Sequence, residues 1–113
     1  MGMWTEWRRL AKGRVYCDED ADNGPGCYEL GFGSKSGGAM SPKYAGETDD
    51  LKRRLTEHGS DRSQLTEKMG KYLRNRYILS CRWQKTQSKM EAKRMQDNLL
   101  QSYEYEWNIQ GNP

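Results

Sequence analysis

The sequence predicts a small α+β domain in which a three-stranded antiparallel sheet is flanked by three or four helices. Two stretches alternate with the period of two that marks a strand: Tyr28, Leu30 and Phe32 against Cys27, Glu29 and Gly31, and Tyr77, Leu79, Cys81 and Trp83 against Ile78, Ser80 and Arg82. Three others space apolar residues three and four apart, as helices do: Leu51 and Leu55, Leu65 with Met69, Tyr72 and Leu73, and Ala92 with Met95 and Leu99. Three strands and three or four helices in this order suggest an α+β layer.

From the N-terminus, Trp4, Trp7, Leu10 and Ala11 have helical spacing, and Gly13 can end a short helix after them. Asp18, Asp20, Asp22 and Glu29 match positions 1, 3, 5 and 12 of a calcium loop, but Asn23 stands where the sharp turn needs glycine. An acidic surface loop is the better reading. The first strand follows, with one face expected to be buried, and residues 31–42 form the Gly/Ser turn of a long hairpin whose second strand ends at Gly46. No Gly-Lys-Ser/Thr follows these glycines and no helix opens from them, so they are not a phosphate loop.

Thr48 is the expected N-cap of the next helix, with Asp49 and Asp50 placing negative charge against its dipole. At about 100° per residue, Leu51, Arg54, Leu55 and His58 share one arc, so the arginine and histidine sit at the margin of the core. The last helix is expected from Ser88 to Tyr103. Ser88 to Glu91 reads as a capping box in which Glu91 would serve its own helix; a start at Thr86 would free that carboxylate.

A length of 113 residues allows one domain with a modest core. Charged residues are abundant, but seven Tyr and four Trp supply apolar area that disordered chains lack. Residues 51–94 carry thirteen Lys or Arg against four Asp or Glu, a balance of +9, while the flanking segments are −3 each. The middle of the chain is therefore a surface that attracts polyanions. Cys17, Cys27 and Cys81 form neither a disulfide framework nor a zinc pattern, which points to a reducing compartment and an intracellular protein, cytoplasmic or nuclear, that is not secreted. No apolar run approaches the ~20 residues of a membrane span, and no signal-peptide core is present. Met1-Gly2 lacks the Ser or Thr of a myristoylation signal, with Glu6 in its place.

Tyr44-Ala45-Gly46, an arginine eight residues on and a histidine four beyond that resemble the second half of the GIY-YIG endonuclease signature. Gly26-Cys27-Tyr28 supplies the first half, Glu91 the helical glutamate and Asn108 the asparagine near the end. Cys27 and Ala45 replace the isoleucines of the family name. The resemblance divides the chain into an arm over residues 1–25, with the short helix and acidic loop, and a nuclease-like domain over residues 26–113. It implies metal-dependent hydrolysis of phosphodiesters in nucleic acid, DNA before RNA. Glu91 would hold one divalent ion, Mg²⁺ first and Mn²⁺ second, with water filling most of its coordination sphere. Arg54 would grip the scissile phosphate, Tyr44 would deprotonate the attacking water, and Tyr28 and His58 would hydrogen-bond around it. Gly46, Lys43, Arg53, Lys71 and Asn108 are the remaining expected contacts with nucleic acid.

A tyrosine base carries a physical demand. A free phenol titrates near 10, and bringing it to 7 takes roughly 4 kcal/mol of preference for the anion. An inactive nucleic-acid-binding module of the same fold is the alternative reading, although such a module needs no metal carboxylate. No target-reading motif is present, so specificity would come from residues 33–42 and 59–63, the N-terminal arm, or a separate subunit. One site cuts one strand, so double-strand cleavage would need a homodimer or two encounters.

Overall fold

The computed structural model describes residues 4–9, 21, 23–33, 40–59, 65–74 and 78–109. Its sheet is antiparallel throughout. Strand β2 (Gly26–Gly33) pairs with β3 (Ser41–Thr48) on one side and with β4 (Ile78–Lys85) on the other, and a two-residue strand, β1 (Arg8–Arg9), extends the β4 edge. The spatial order is β1-β4-β2-β3. Helices α1 (Leu51–Gly59) and α2 (Thr66–Arg74) follow β3; α3 (Lys89–Ser102) and the short α4 (Glu106–Ile109) follow β4. The expected α+β class and its three main strands are present. None of the helices among the described residues is long and apolar enough to cross a membrane.

Register assigns the side chains to faces, because directly paired residues point the same way. Tyr28 pairs with Gly46 and Trp83, Leu30 with Tyr44 and Cys81, and Phe32 with Leu79. This face packs on Leu51, Leu55, Leu65 and Met69 of α1, α2 and the turn before α2, with Trp107 completing the core. The opposite face carries Cys27, Glu29, Ala45 and Arg82 and meets α3 through the buried Ala92. Every residue of β2 is buried, so the expectation of a strand with one buried face is corrected. A central strand covered by helices on both sides has no solvent face, and its polar positions must find partners inside.

Glu29 finds two. Only 2% exposed, it takes Arg82 Nε on one oxygen and the Tyr105 hydroxyl on the other. The Arg82 guanidinium lies 4.8 Å from the centre of a Trp4 ring and 5.1 Å from that of a Trp7 ring. Those tryptophans correct a second expectation. Residues 4–7 are not helical, and the arm runs along β4, where Thr5 exchanges hydrogen bonds with Trp83 and Arg8 pairs with Cys81. Helical spacing over so few residues gives way to an open strand edge that offers partners to the backbone.

The boundaries of α3 follow the sequence, with Ser88 as its N-cap and Tyr103 as its C-cap. At α1 the cap is Asp50, whose Oδ1 accepts from the Arg53 N–H at 3.3 Å. Thr48 instead closes a turn with the Asp50 N–H at 3.0 Å, because β3 continues through it. Gly26 is required at the sheet's end: a Cβ there would lie 2.4 Å from Leu51 Cδ1 and 2.7 Å from the Gln84 carbonyl oxygen. Cys81 is disulfide-bonded, and Cys27 is a buried free thiol that burial pushes up to about 12. Residue 77 of the expected third strand, the acidic run at 18–20 and residue 22, and residues 34–39 of the expected turn lie outside the described residues.

The Glu29–Arg82 pair sets a stability test. Removing the cation leaves a buried carboxylate uncompensated, so Arg82→Ala should destabilise the fold by about 3–5 kcal/mol in urea unfolding. The double variant Glu29→Gln/Arg82→Met should recover most of that loss.

Candidate active site

Three aromatic rings meet on the core face of the sheet. Tyr28 lies 6.1 Å from Tyr44 and 5.4 Å from His58 between ring centres, and Tyr44 lies 6.0 Å from His58. The strands place the tyrosines in adjacent rows, and α1, whose apolar residues Leu51 and Leu55 dock into the core, brings His58 over them. The Tyr28 hydroxyl and His58 Nε2 are hydrogen-bonded at 2.9 Å, and Arg54, one turn before His58, reaches the same hydroxyl. Gly46 makes this packing possible. A Cβ at that position would sit 2.5 Å from both Cζ and the hydroxyl oxygen of Tyr28.

Burial separates the two phenols. Tyr28 is 1% exposed, whereas Tyr44 is only partly buried at the border of the core. Desolvation, with Tyr44 beside it, drives the Tyr28 phenol well above its ordinary range, although Arg54 pulls the other way. Tyr28 therefore keeps its proton at neutral pH. Desolvation, reinforced by the Arg54 charge, lowers His58 to about 3, so the imidazole is neutral. Burial works to lower Arg54 as well, but Tyr28 and Glu57 outweigh it and the guanidinium titrates above its ordinary value. Its Nη1 also pairs with Glu57 Oε1 at 2.9 Å, near the surface.

The other expected residues divide. Glu91 lies in the first turn of α3, where its N–H donates to Ser88 Oγ at 3.1 Å; the helix does not start at Thr86. Only the backbone half of the capping box forms, and the Glu91 carboxylate has no hydrogen-bond or ion-pair partner among the described residues. A single unspent carboxylate fits a largely hydrated Mg²⁺. Among the described residues no group of three or more His, Cys, Asp or Glu could hold a metal, so any ion here would rely on water for most of its ligands. Arg53 and Lys71 are exposed, Arg53 pairing with Asp49. Lys43 is 18% exposed and pairs with Glu106 at 3.6 Å.

Two of the expected nucleic-acid contacts are engaged within the fold. Gly46 is buried under the Tyr28 ring. Asn108 is committed to the fold: its Oδ1 accepts from the Ala45 N–H and its Nδ2 donates to the Ala45 carbonyl, both at 2.8 Å. This amide completes the outer edge of β3 beside Tyr44, and Gln96 Nε2 adds a donor to the same carbonyl at 3.3 Å. An asparagine soon after an aromatic-rich segment carries no sequence signal for that role, since the partner is backbone 63 residues away.

Fold and cluster together define a small α+β domain whose site combines two strand tyrosines with an arginine and a histidine from the following helix. A family model described as GIY-YIG domain-containing protein matches residues 7–113, and the chain belongs to that family, whose members are nucleases acting on nucleic acid. No curated protein and no solved structure matches the chain.

Two outcomes test this arrangement. Folded His58 stays unprotonated down to about 3, while an unfolded histidine binds a proton near 6.5. The unfolded state thus holds more protons in that window, and stability should fall as pH drops below about 6.5. His58 is the chain's one histidine. His58→Gln should flatten thermal stability between about pH 5 and 6.5, above the ordinary carboxylate range. Asn108→Ala, which strips two bonds from buried backbone, should cost about 1–3 kcal/mol of stability. It should leave nucleic-acid affinity unchanged, and a large affinity loss with intact stability would return Asn108 to a binding role.

Proposed function

We propose that this protein is a metal-dependent endonuclease that hydrolyses phosphodiester bonds in DNA, with Tyr44 as general base. The observation that carries the reading is the difference between the two tyrosines. Tyr28 is sealed, protonated and tied to His58 and Arg54, so it serves as a fixed hydrogen-bonding group. Tyr44 stands beside it at the edge of the core and can meet water. His58 does not compete for the role, because it is 1% exposed and its Nε2 is already bonded to Tyr28.

Arg54 would exchange its Glu57 contact for the scissile phosphate and stabilise the charge that builds there during attack. The Tyr28 hydroxyl, held between Arg54 and a neutral His58, would keep the guanidinium in place without adding charge. Glu91 would hold Mg²⁺ or Mn²⁺, which when bound supplies positive charge to phosphate oxygens. The exposed Arg53 and Lys71, within the +9 segment, would bind the substrate backbone outside the reacting centre.

Incubation of supercoiled plasmid with the purified protein, with Mg²⁺ or with EDTA, tests the reading. Nicked and then linear DNA should form only with the metal. Tyr44→Phe, which conserves volume, should lower the rate by ~10² to 10⁴ with little change in DNA affinity. Glu91→Gln should abolish cleavage while the melting temperature stays near the parent's. Full activity in Glu91→Gln with a much lower melting temperature would make Glu91 a helix cap, and absence of cleavage in the parent would favour a binding module.

A further inference from the structure

On the sheet face opposite Tyr28 and Tyr44 lies a cavity of about 430 Å³, within the size range of small-molecule sites. Trp4, Glu29, Arg82, Tyr103, Glu104 and Tyr105 line it. Its charged centre is built into the fold. Glu29, buried beneath, holds Arg82 through Nε and Tyr105 through its hydroxyl, and Trp4 and Trp7 stack on the guanidinium.

This leaves unspent chemistry at defined places. Arg82 lines the cavity, and the two terminal amino groups of its planar guanidinium have no acceptor among the described residues. Glu104 likewise has no partner among the described residues, and Tyr103, 63% exposed, offers a ring. Donors in a fork, a free carboxylate and an aromatic face together describe a site for a nucleobase.

We infer that this cavity binds guanine. Guanine presents adjacent O6 and N7 acceptors, the pair an arginine fork meets best, and its N1 and N2 hydrogens suit a carboxylate. Adenine puts its N6 donor where the fork needs an acceptor. Phosphate fits poorly, because Glu29 already balances Arg82 and Glu104 adds a negative charge. Cytosine could satisfy both groups with O2, N3 and N4, but its single ring gives Tyr103 less to stack on. The guanine could belong to a free nucleotide or to an unpaired guanosine in nucleic acid.

Calorimetric titration of the whole protein in EDTA, where no cleavage occurs, separates this inference from the nuclease reading. One arm uses GMP, AMP, CMP and UMP; the other uses a DNA duplex with a single bulged guanosine and the same duplex with a bulged adenosine. In at least one arm guanine should bind about tenfold tighter than adenine, as bidentate recognition gives. Preference in the mononucleotide arm alone assigns a free nucleotide as the source, and preference in the duplex arm alone assigns nucleic acid; either supports the site. Glu104→Gln, at an exposed position, should weaken guanine binding by about tenfold with unchanged melting, since it removes a charged acceptor. Arg82→Lys, which keeps the charge over Glu29, should lose the preference with the fork. Equal affinity for all bases in both arms, tighter binding of CMP than of GMP, or full preference in Glu104→Gln would overturn the assignment.

Discussion

The Tyr28 ring packs directly against the backbone of Gly46, and the positions of His58, Arg54 and Tyr44 follow from that contact. With no Cβ on β3 at that point, the Tyr28 hydroxyl lies over the strand instead of being pushed off it. From there it meets His58 and Arg54, one turn apart on α1, and sets where that helix sits on the sheet. Desolvation of this small volume then fixes the charges: a neutral histidine, a protonated tyrosine and one persistent cation. Tyr44 sits one row away along the sheet face, close enough to feel the cluster but open to solvent.

The opposite face holds the scaffold in register. Glu29 links β2 to β4 through Arg82 and to the segment after α3 through Tyr105. Three residues beyond Tyr105, Asn108 bonds the edge of β3 at Ala45, between Tyr44 and Gly46. The chain after α3 therefore fastens both the central and the edge strand. Changes on this face can reach the tyrosines through one strand of backbone. A buried ion pair is a poor source of stability in itself. Its value here is positional, because the buried Glu29 carboxylate is satisfied only where the half-buried Arg82 guanidinium and the Tyr105 hydroxyl both reach it.

Local chemistry made some of this legible from sequence. The ends of α3 could be read because Ser88 and the apolar stripe are local signals, and the cluster of Tyr28, Tyr44, Arg54 and His58 because its order resembles the GIY-YIG signature. The cap of α1 moved from Thr48 to Asp50 when the strand ran two residues further than expected. Alternation alone puts Glu29 on the solvent side of a half-buried strand; only tertiary structure shows that α3 and Tyr105 cover that face. The N-terminal arm shows the same limit, since its tryptophans fit a helix by spacing but are placed by a strand edge and an arginine far along the chain. The bond from Asn108 to Ala45 has no sequence signal, because a side chain that binds backbone requires no particular residue type in its partner.

In the proposed reaction Tyr44, and not the sealed Tyr28, loses a proton in turnover. Replacing each in turn by a fluorotyrosine, whose phenol is more acidic but of nearly the same shape, tests it through the pH dependence of plasmid nicking at saturating Mg²⁺. The rising limb of the rate should move to lower pH with the analogue at position 44 and stay in place with it at position 28. A limb that moves only with position 28, or with neither, would contradict the assignment of Tyr44 as the base.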